Sequence, residues 1–202
     1  MTTTEEVRSQ LRSRRKAPTA PPWHPPALED FMRGVAVVAF DASLLNTGWV
    51  VLRRWLGGID VYGHGTIRPK TDATGYMATW ERARILEEEL PGTLAAAFLA
   101  REDVEMAVEA PSVGGHRTES SLVAGLTVRR LNPGKCEPVS ATHVSAVLLG
   151  DPRIKSEERK GAIKLAVARY VPETAGRDWN EHERDALSVG LTRLYDMREA
   201  AA

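Results

Sequence analysis

Asp41, Glu109 and Asp185 are far apart in the chain, yet each stands at the end of an expected secondary-structure element. Asp41 closes an apolar run, VAVVAFD. Glu109 closes another, EMAVE. Asp185 sits in EHERDAL, where the polar start of a helix meets its apolar part. Carboxylates brought together repel one another, and burying them costs several kcal/mol unless something neutralises them. A divalent cation does so, and all-oxygen donors suit Mg²⁺ or Mn²⁺. Two such ions about 3.5–4 Å apart can activate a water and stabilise the leaving oxygen of a phosphodiester.

Taken singly, each residue has a plainer reading. Asp41, with Ser43 and Asn46 beside it, suits a turn. Glu109, before Pro111, could pair with an arginine. His182 could lie on a helix surface, and Asp185 could complement the helix dipole. The joint arrangement decides for the metal reading. Three acids stand at three element ends, and one sheet order can bring them together.

The elements follow from periodicity. Residues 35–40 form a continuous apolar run, a strand buried on both faces. Residues 48–55 and 59–67 read as the next two strands, with Gly63 and Gly65 permitting a bend or bulge. Helical spacing takes over at 76–90, and Pro91-Gly92 is expected to end that helix, with a second helical piece at 93–100. Residues 104–109 read as a fourth strand and 136–139 as a short fifth. Helices are expected at 118–131, 142–149, 156–170 and 181–197. Three antiparallel strands followed by strands alternating with helices imply a mixed five-stranded α/β sheet with helices on both faces. If the first and fourth strands are parallel neighbours, Asp41 and Glu109 enter one crevice, where open α/β sheets bind ligands. On the last helix His182 and Asp185, three apart, share a face; Glu181 and Asp185, four apart, do too.

Composition narrows the class. The chain has 202 residues, 27 Lys plus Arg against 27 Asp plus Glu, and one cysteine, Cys136. Zero net charge argues against indiscriminate coating of polyanions but permits a local basic face. A lone cysteine excludes an internal disulfide and a Cys-rich zinc site, and suits a reducing compartment. No apolar stretch approaches the ~20 residues of a membrane span, and the first residues lack the apolar core of a secretory signal. A cytoplasmic protein, with no membrane partner, is expected. Residues 1–32 carry a basic cluster (Arg8, Arg12, Arg14, Arg15, Lys16) and then a proline-dense run. This reads as an arm, with a short helix over 4–15, preceding a domain of residues 33–202.

The layout resembles the RuvC-type Holliday junction resolvases of the RNase H-like nucleases. The resemblance rests on FDASLLNTGWVVL, on MAVEAPSVGGHRTESSLVAGLTVRRL and on HERDALSVGLTRL, and covers residues 35–197. The chain departs from the family in Ala42-Ser43, in the longer Leu44-Leu45-Asn46 link and in its arm; a divergent bacteriophage member fits these differences. The resemblance implies the RNase H-like fold and a Mg²⁺- or Mn²⁺-dependent endonuclease with two ions per site. It implies Asp41, Glu109 and Asp185 as metal ligands and His182 as the fourth catalytic member, with Glu181 a substitute ligand. His182 could bind metal or move a proton. It further implies a homodimer that nicks a four-way junction symmetrically in a bacterial or phage-infected cell. The alternatives are a flap, branched-DNA or RNA nuclease of the same fold, or a non-catalytic nucleic-acid-binding domain.

Phosphate contacts are expected from Arg117, Arg129, Arg130, Lys155, Arg159, Lys160 and Lys164, with Arg117 and Lys160 the stronger candidates. About half of such charges would ordinarily just solvate helix faces. The glycines of the loop 111–116 would permit close approach to a strand. In helix 118–131, Leu122, Ala124, Gly125 and Leu126 could support a two-fold interface, or could cover the chain's own sheet.

Overall fold

The computed structural model describes residues 23–98, 104–111, 118–132, 134–176 and 178–201. The loop residues 112–117, including Arg117, the basic cluster at 8–16 and the helix expected over 4–15 lie outside the described residues.

Five strands form one sheet in the order β3-β2-β1-β4-β5. They are β1 (Ala36–Asp41), β2 (Thr47–Arg54), β3 (Ile59–Ile67), β4 (Val104–Glu109) and β5 (Cys136–Val139). β1 pairs antiparallel with β2 and β2 with β3, whereas β1–β4 and β4–β5 are parallel. The valine-rich β1 is buried on both faces, as a central strand must be. The β2–β3 register shifts at Val51/Leu52, opposite Val61 and Gly63, so Tyr62 is the extra residue of a bulge.

The helices are α1 (Gly75–Phe98), α2 (Thr118–Leu131), α3 (Ala141–Leu149), α4 (Ser156–Tyr170) and α5 (Glu181–Ala201). They divide the core in two. Val38, Phe40 and Val51 face Leu86 and Leu90 of α1 and Ala124 and Val128 of α2. Val37, Ala39, Val50 and Leu52 face Leu148 of α3, Ile163 of α4 and Leu187 and Leu191 of α5. α5 is thus the central helix of its layer. Gly190 lets it settle close, since a Cβ there would lie 2.5 Å from Leu52 Cδ2 and 3.0 Å from Ala39 Cβ.

One expectation changes, and one choice left open is decided. α1 does not end at Pro91 but runs through it to Phe98. Proline removes a single donor, and Leu86 and Leu90, both fully buried, hold the preceding turn on the sheet. The Thr93 hydroxyl adds a 3.0 Å bond to the Glu89 carbonyl. The small residues of α2 do not present an outward face: Ala124 is buried against the chain's own sheet, while Leu122 and Leu126 are exposed.

Residues 23–32, part of the expected arm, lie on the α4–α5 side. Phe31 is buried and packs edge-on against Tyr170 and Tyr195. The Tyr170 hydroxyl donates to the Pro26 carbonyl at 2.9 Å. Among the described residues no helix is long and apolar enough to cross a membrane.

Candidate active site

The first and fourth strands are parallel neighbours, with Phe40 aligned to Val108. Asp41 and Glu109 therefore leave the sheet together at the C-terminal ends of β1 and β4. The first turns of α5 lie across this edge, and the cause is legible in Thr47-Gly48. Thr47 is fully buried, and its hydroxyl donates to the Ser43 carbonyl at 2.7 Å, holding the β1–β2 loop in place. The same loop is pinned to α2 where the Leu44 amide donates to Ser120 Oγ at 3.1 Å. Gly48 pairs directly with Asp41. A Cβ on Gly48 would collide with the backbone of His182. Only glycine lets α5 come down here.

His182 thereby reaches Asp41: its Nδ1 stands 2.7 Å from Asp41 Oδ2. Hydrogen bonding to that carboxylate, opposed by partial burial, holds the imidazole pKa above its ordinary value. Glu109 is pushed up to about 8, first by burial, then by the charge of Asp41 and a hydrogen bond to it, then by Asp185; Arg159 opposes the rise. Asp185 is pushed up to about 7 by burial, then by Asp41 and Glu181, and is eased by Lys160 and His182. The three acids predicted from the sequence therefore share one electrostatic environment. Glu109, Asp185, Arg159, Lys160 and Ser188 also line a crevice of about 50 Å³.

The donor set fits a hard divalent cation. Three carboxylates supply oxygen ligands, repulsion among them is what a cation would relieve, and the crevice exceeds the volume of one water. Among the described residues no three His, Cys, Asp or Glu side chains stand in finished metal-holding geometry. Asp41 is instead drawn onto His182 and Glu109. The fit rests on donor chemistry and charge rather than on a closed cage.

The remaining sequence candidates separate. Glu181 is turned to α4, where it forms an ion pair with Lys160. Arg159 is half-buried by the crevice; Lys155, Lys160 and Lys164 are exposed along the same helix. Arg129 and Arg130 end α2. Because α2 joins the C-terminal end of β4 to the start of parallel β5, these arginines lie toward the opposite edge of the sheet, about 20 Å along a helix of this length. Arg130 pairs there with Glu87 at 3.4 Å.

Asn180 and Glu183, which are not among the sequence candidates, secure the start of α5. The Glu183 amide donates to Asn180 Oδ1 at 3.1 Å, and the Asn180 amide donates to Glu183 Oε2 at 3.3 Å. This is a capping box, and the spacing Asn-x-x-Glu before an apolar helix was its available signal.

No family model matches the sequence, and no curated protein matches it. Solved structures do match. Thermus thermophilus RuvC in complex with a Holliday junction substrate is 16% identical, with 83% of this chain and 98% of that chain covered at a TM-score of 0.62. Another Thermus thermophilus RuvC structure is 16% identical, with 82% and 96% covered at 0.61. The yeast mitochondrial Holliday junction resolvase Ydc2 is 9% identical, with 84% of each chain covered at 0.52. The chain has the RNase H-like fold of these resolvases.

Proposed function

We propose that the chain is a Mg²⁺-dependent endonuclease, also able to use Mn²⁺, that resolves four-way DNA junctions by paired symmetric nicks. The observation that carries this reading is the gathering of Asp41, Glu109 and Asp185 beneath the first turns of α5, at the ligand-binding edge of a resolvase-like sheet.

Asp41, Glu109 and Asp185 would hold the metal, two ions per site. When bound, the metal supplies an activated water and stabilises the leaving phosphate-ester oxygen. Asp41 accepts a hydrogen bond from His182 Nδ1 and so fixes the ring orientation. Nε2 is then the nitrogen that can take up or release a proton near neutral pH. Arg159 and Lys160 stand beside the acids, and each has a further cation four residues away on its own side of the helix, Lys155 for Arg159 and Lys164 for Lys160, suited to DNA phosphates.

Symmetric cutting requires two sites on a two-fold axis. The outward faces of α1 and α2 suit a second copy of the chain. Leu126, Tyr76 and Trp80 are exposed there along a groove of about 880 Å³, and Leu122 is exposed on the same helix as Leu126.

The test is cleavage of end-labelled four-way junction, flap, single-stranded DNA and RNA substrates in Mg²⁺ and in EDTA, with mass measured by sedimentation. Paired nicks at symmetric junction positions, Mg²⁺ dependence and a dimer are expected. Preferential cutting of flaps or RNA would move the substrate; cutting unaffected by EDTA would overturn the metal reading.

A further inference from the structure

Glu183 is buried, yet it is a carboxylate outside the acid crevice. Its partners come from two parts of the fold. His64 Nδ1 stands 3.0 Å from Oε2, and the Thr66 hydroxyl donates to Oε1 at 3.2 Å. The Asn180 amide group donates to Oε1 at 2.5 Å and to the Thr66 hydroxyl oxygen at 2.9 Å. His64 also stacks on buried Trp179, with centroids 3.9 Å apart and planes 14° apart. With the Asn180 backbone amide, these donors fill the four sites that a carboxylate offers.

The sheet register gives this cluster a direction. Thr66 pairs with Gly48, and Gly48 pairs with Asp41, so the three lie in one line across β3, β2 and β1. The first turn of α5 is held at both ends of that line. Glu183 is fastened to β3, and the adjacent His182 is fastened to Asp41 on β1. Two fixed points two strands apart set the rotation of α5 about its axis. Rotation decides whether Asp185, one turn further on, reaches the crevice or swings away from it.

We infer that Glu183 is a positioning residue, clamped by His64, Thr66 and Asn180, which aims His182 and Asp185 at Asp41 and Glu109. The inference rests on the nuclease reading above for its effect on catalysis, though not for the clamp itself. An ordinary helix cap would stabilise α5 without setting metal affinity. Groups that orient metal ligands typically alter affinity or activity by about 10- to 100-fold when removed.

The experiment compares full-length wild type with E183A, E183Q and T66V. Mn²⁺ binding is titrated by the electron paramagnetic resonance signal of the free ion, junction cleavage is timed below the lowest melting temperature, and the His182 ring Nδ1–H is followed by NMR in metal-free buffer. E183A is expected to weaken Mn²⁺ binding and to slow cleavage, each by about 10- to 100-fold, and to lose the protected ring signal. E183Q should recover part of both, because the single glutamine oxygen can still accept from two of the four donors while its NH2 faces the other two. T66V, which keeps the strand shape, should show a smaller loss in the same direction; it carries the test if E183A does not fold. Wild-type Mn²⁺ affinity and ring signal in folded E183A, or in T66V where E183A is unfolded, would reduce Glu183 to a cap. A wild-type protein that neither binds Mn²⁺ nor cuts would instead defeat the nuclease reading, and the metal-free ring signal would still report on the clamp.

Discussion

Gly48 and His182 meet backbone to backbone. A Cβ built on Gly48 would overlap the His182 carbonyl and stand 2.8 Å from the His182 Cβ. The neighbour is helix backbone and cannot turn aside as a flexible side chain could. Gly48→Ala should therefore lift the start of α5 and break the 2.7 Å contact of His182 with Asp41. Overpacking of this kind costs about 1–3 kcal/mol, and a displacement of about 1 Å at a reacting centre can cost about 100-fold in rate. Thermal melting and single-turnover junction cleavage would check both. Gly57→Ala is the control, because nothing lies within 4 Å of its Cβ position. Equal behaviour of the two variants would mean that α5 tolerates the shift.

What was legible in the sequence, and what was not, divides by distance along the chain. The apolar run ending in Asp41 and the second ending in Glu109 define their own strands, and alternation with helices makes the two parallel neighbours. His182 and Asp185 share a face by helical spacing alone. By contrast, Glu183 meets His64, 119 residues away, and local periodicity says nothing about such a partner. Gly48 reads only as the opening residue of the second strand until α5 is seen above it. Arg129 and Arg130 look near Glu109 in sequence, but a whole helix carries them to the other edge. Pro91 is a strong helix breaker locally, and the burial of Leu86 and Leu90 outweighs it.

Repulsion in the acid cluster predicts opposite effects on stability and activity. Burial and neighbouring charges raise Glu109 and Asp185, so their ionised forms weigh against the metal-free fold. Glu109→Gln and Asp185→Asn should each melt higher than wild type in EDTA at neutral pH. Each should also abolish cleavage while leaving junction binding intact, and should lose the rise in Tm that Mn²⁺ gives wild type. Calorimetric melts with and without Mn²⁺, beside gel-shift and cleavage assays, make the comparison. A variant that melts lower in EDTA would show that these carboxylates stabilise the fold by themselves.

The same shifts fix the sign of the pH dependence. An acid with a higher pKa in the folded protein keeps its proton longer there, so its contribution is complete below the unfolded value and is lost as pH rises through the folded one. The windows run from 4.5 to about 8 for Glu109 and from 3.8 to about 7 for Asp185. His182, also raised, contributes in the same direction. Metal-free protein should therefore lose stability as pH rises across that range. Metal needs deprotonated ligands, so the gain in Tm on adding Mn²⁺ should grow from about pH 6 to about pH 9. Melting curves over this range, with and without the ion, suffice. A Mn²⁺ effect that shrinks with pH would place the metal elsewhere.

The position of the cations predicts which ones DNA engages. Lys160 lines the acid crevice and pairs with Glu181, so a phosphate arriving there would draw Lys160 partly away from that partner. Arg130 pairs with Glu87 toward the far edge of the sheet. Each phosphate-neutralising cation contributes about 0.9 to the slope of log affinity against log salt on duplex DNA. Lys160→Ala should therefore flatten the salt dependence of junction binding by about one unit and weaken binding for every junction sequence alike. Arg130→Ala should leave the slope unchanged if the DNA is held at the carboxylate edge alone. Binding isotherms in EDTA at several salt concentrations measure both slopes. A loss of slope in Arg130→Ala with none in Lys160→Ala would move the DNA path to the α1–α2 side of the molecule.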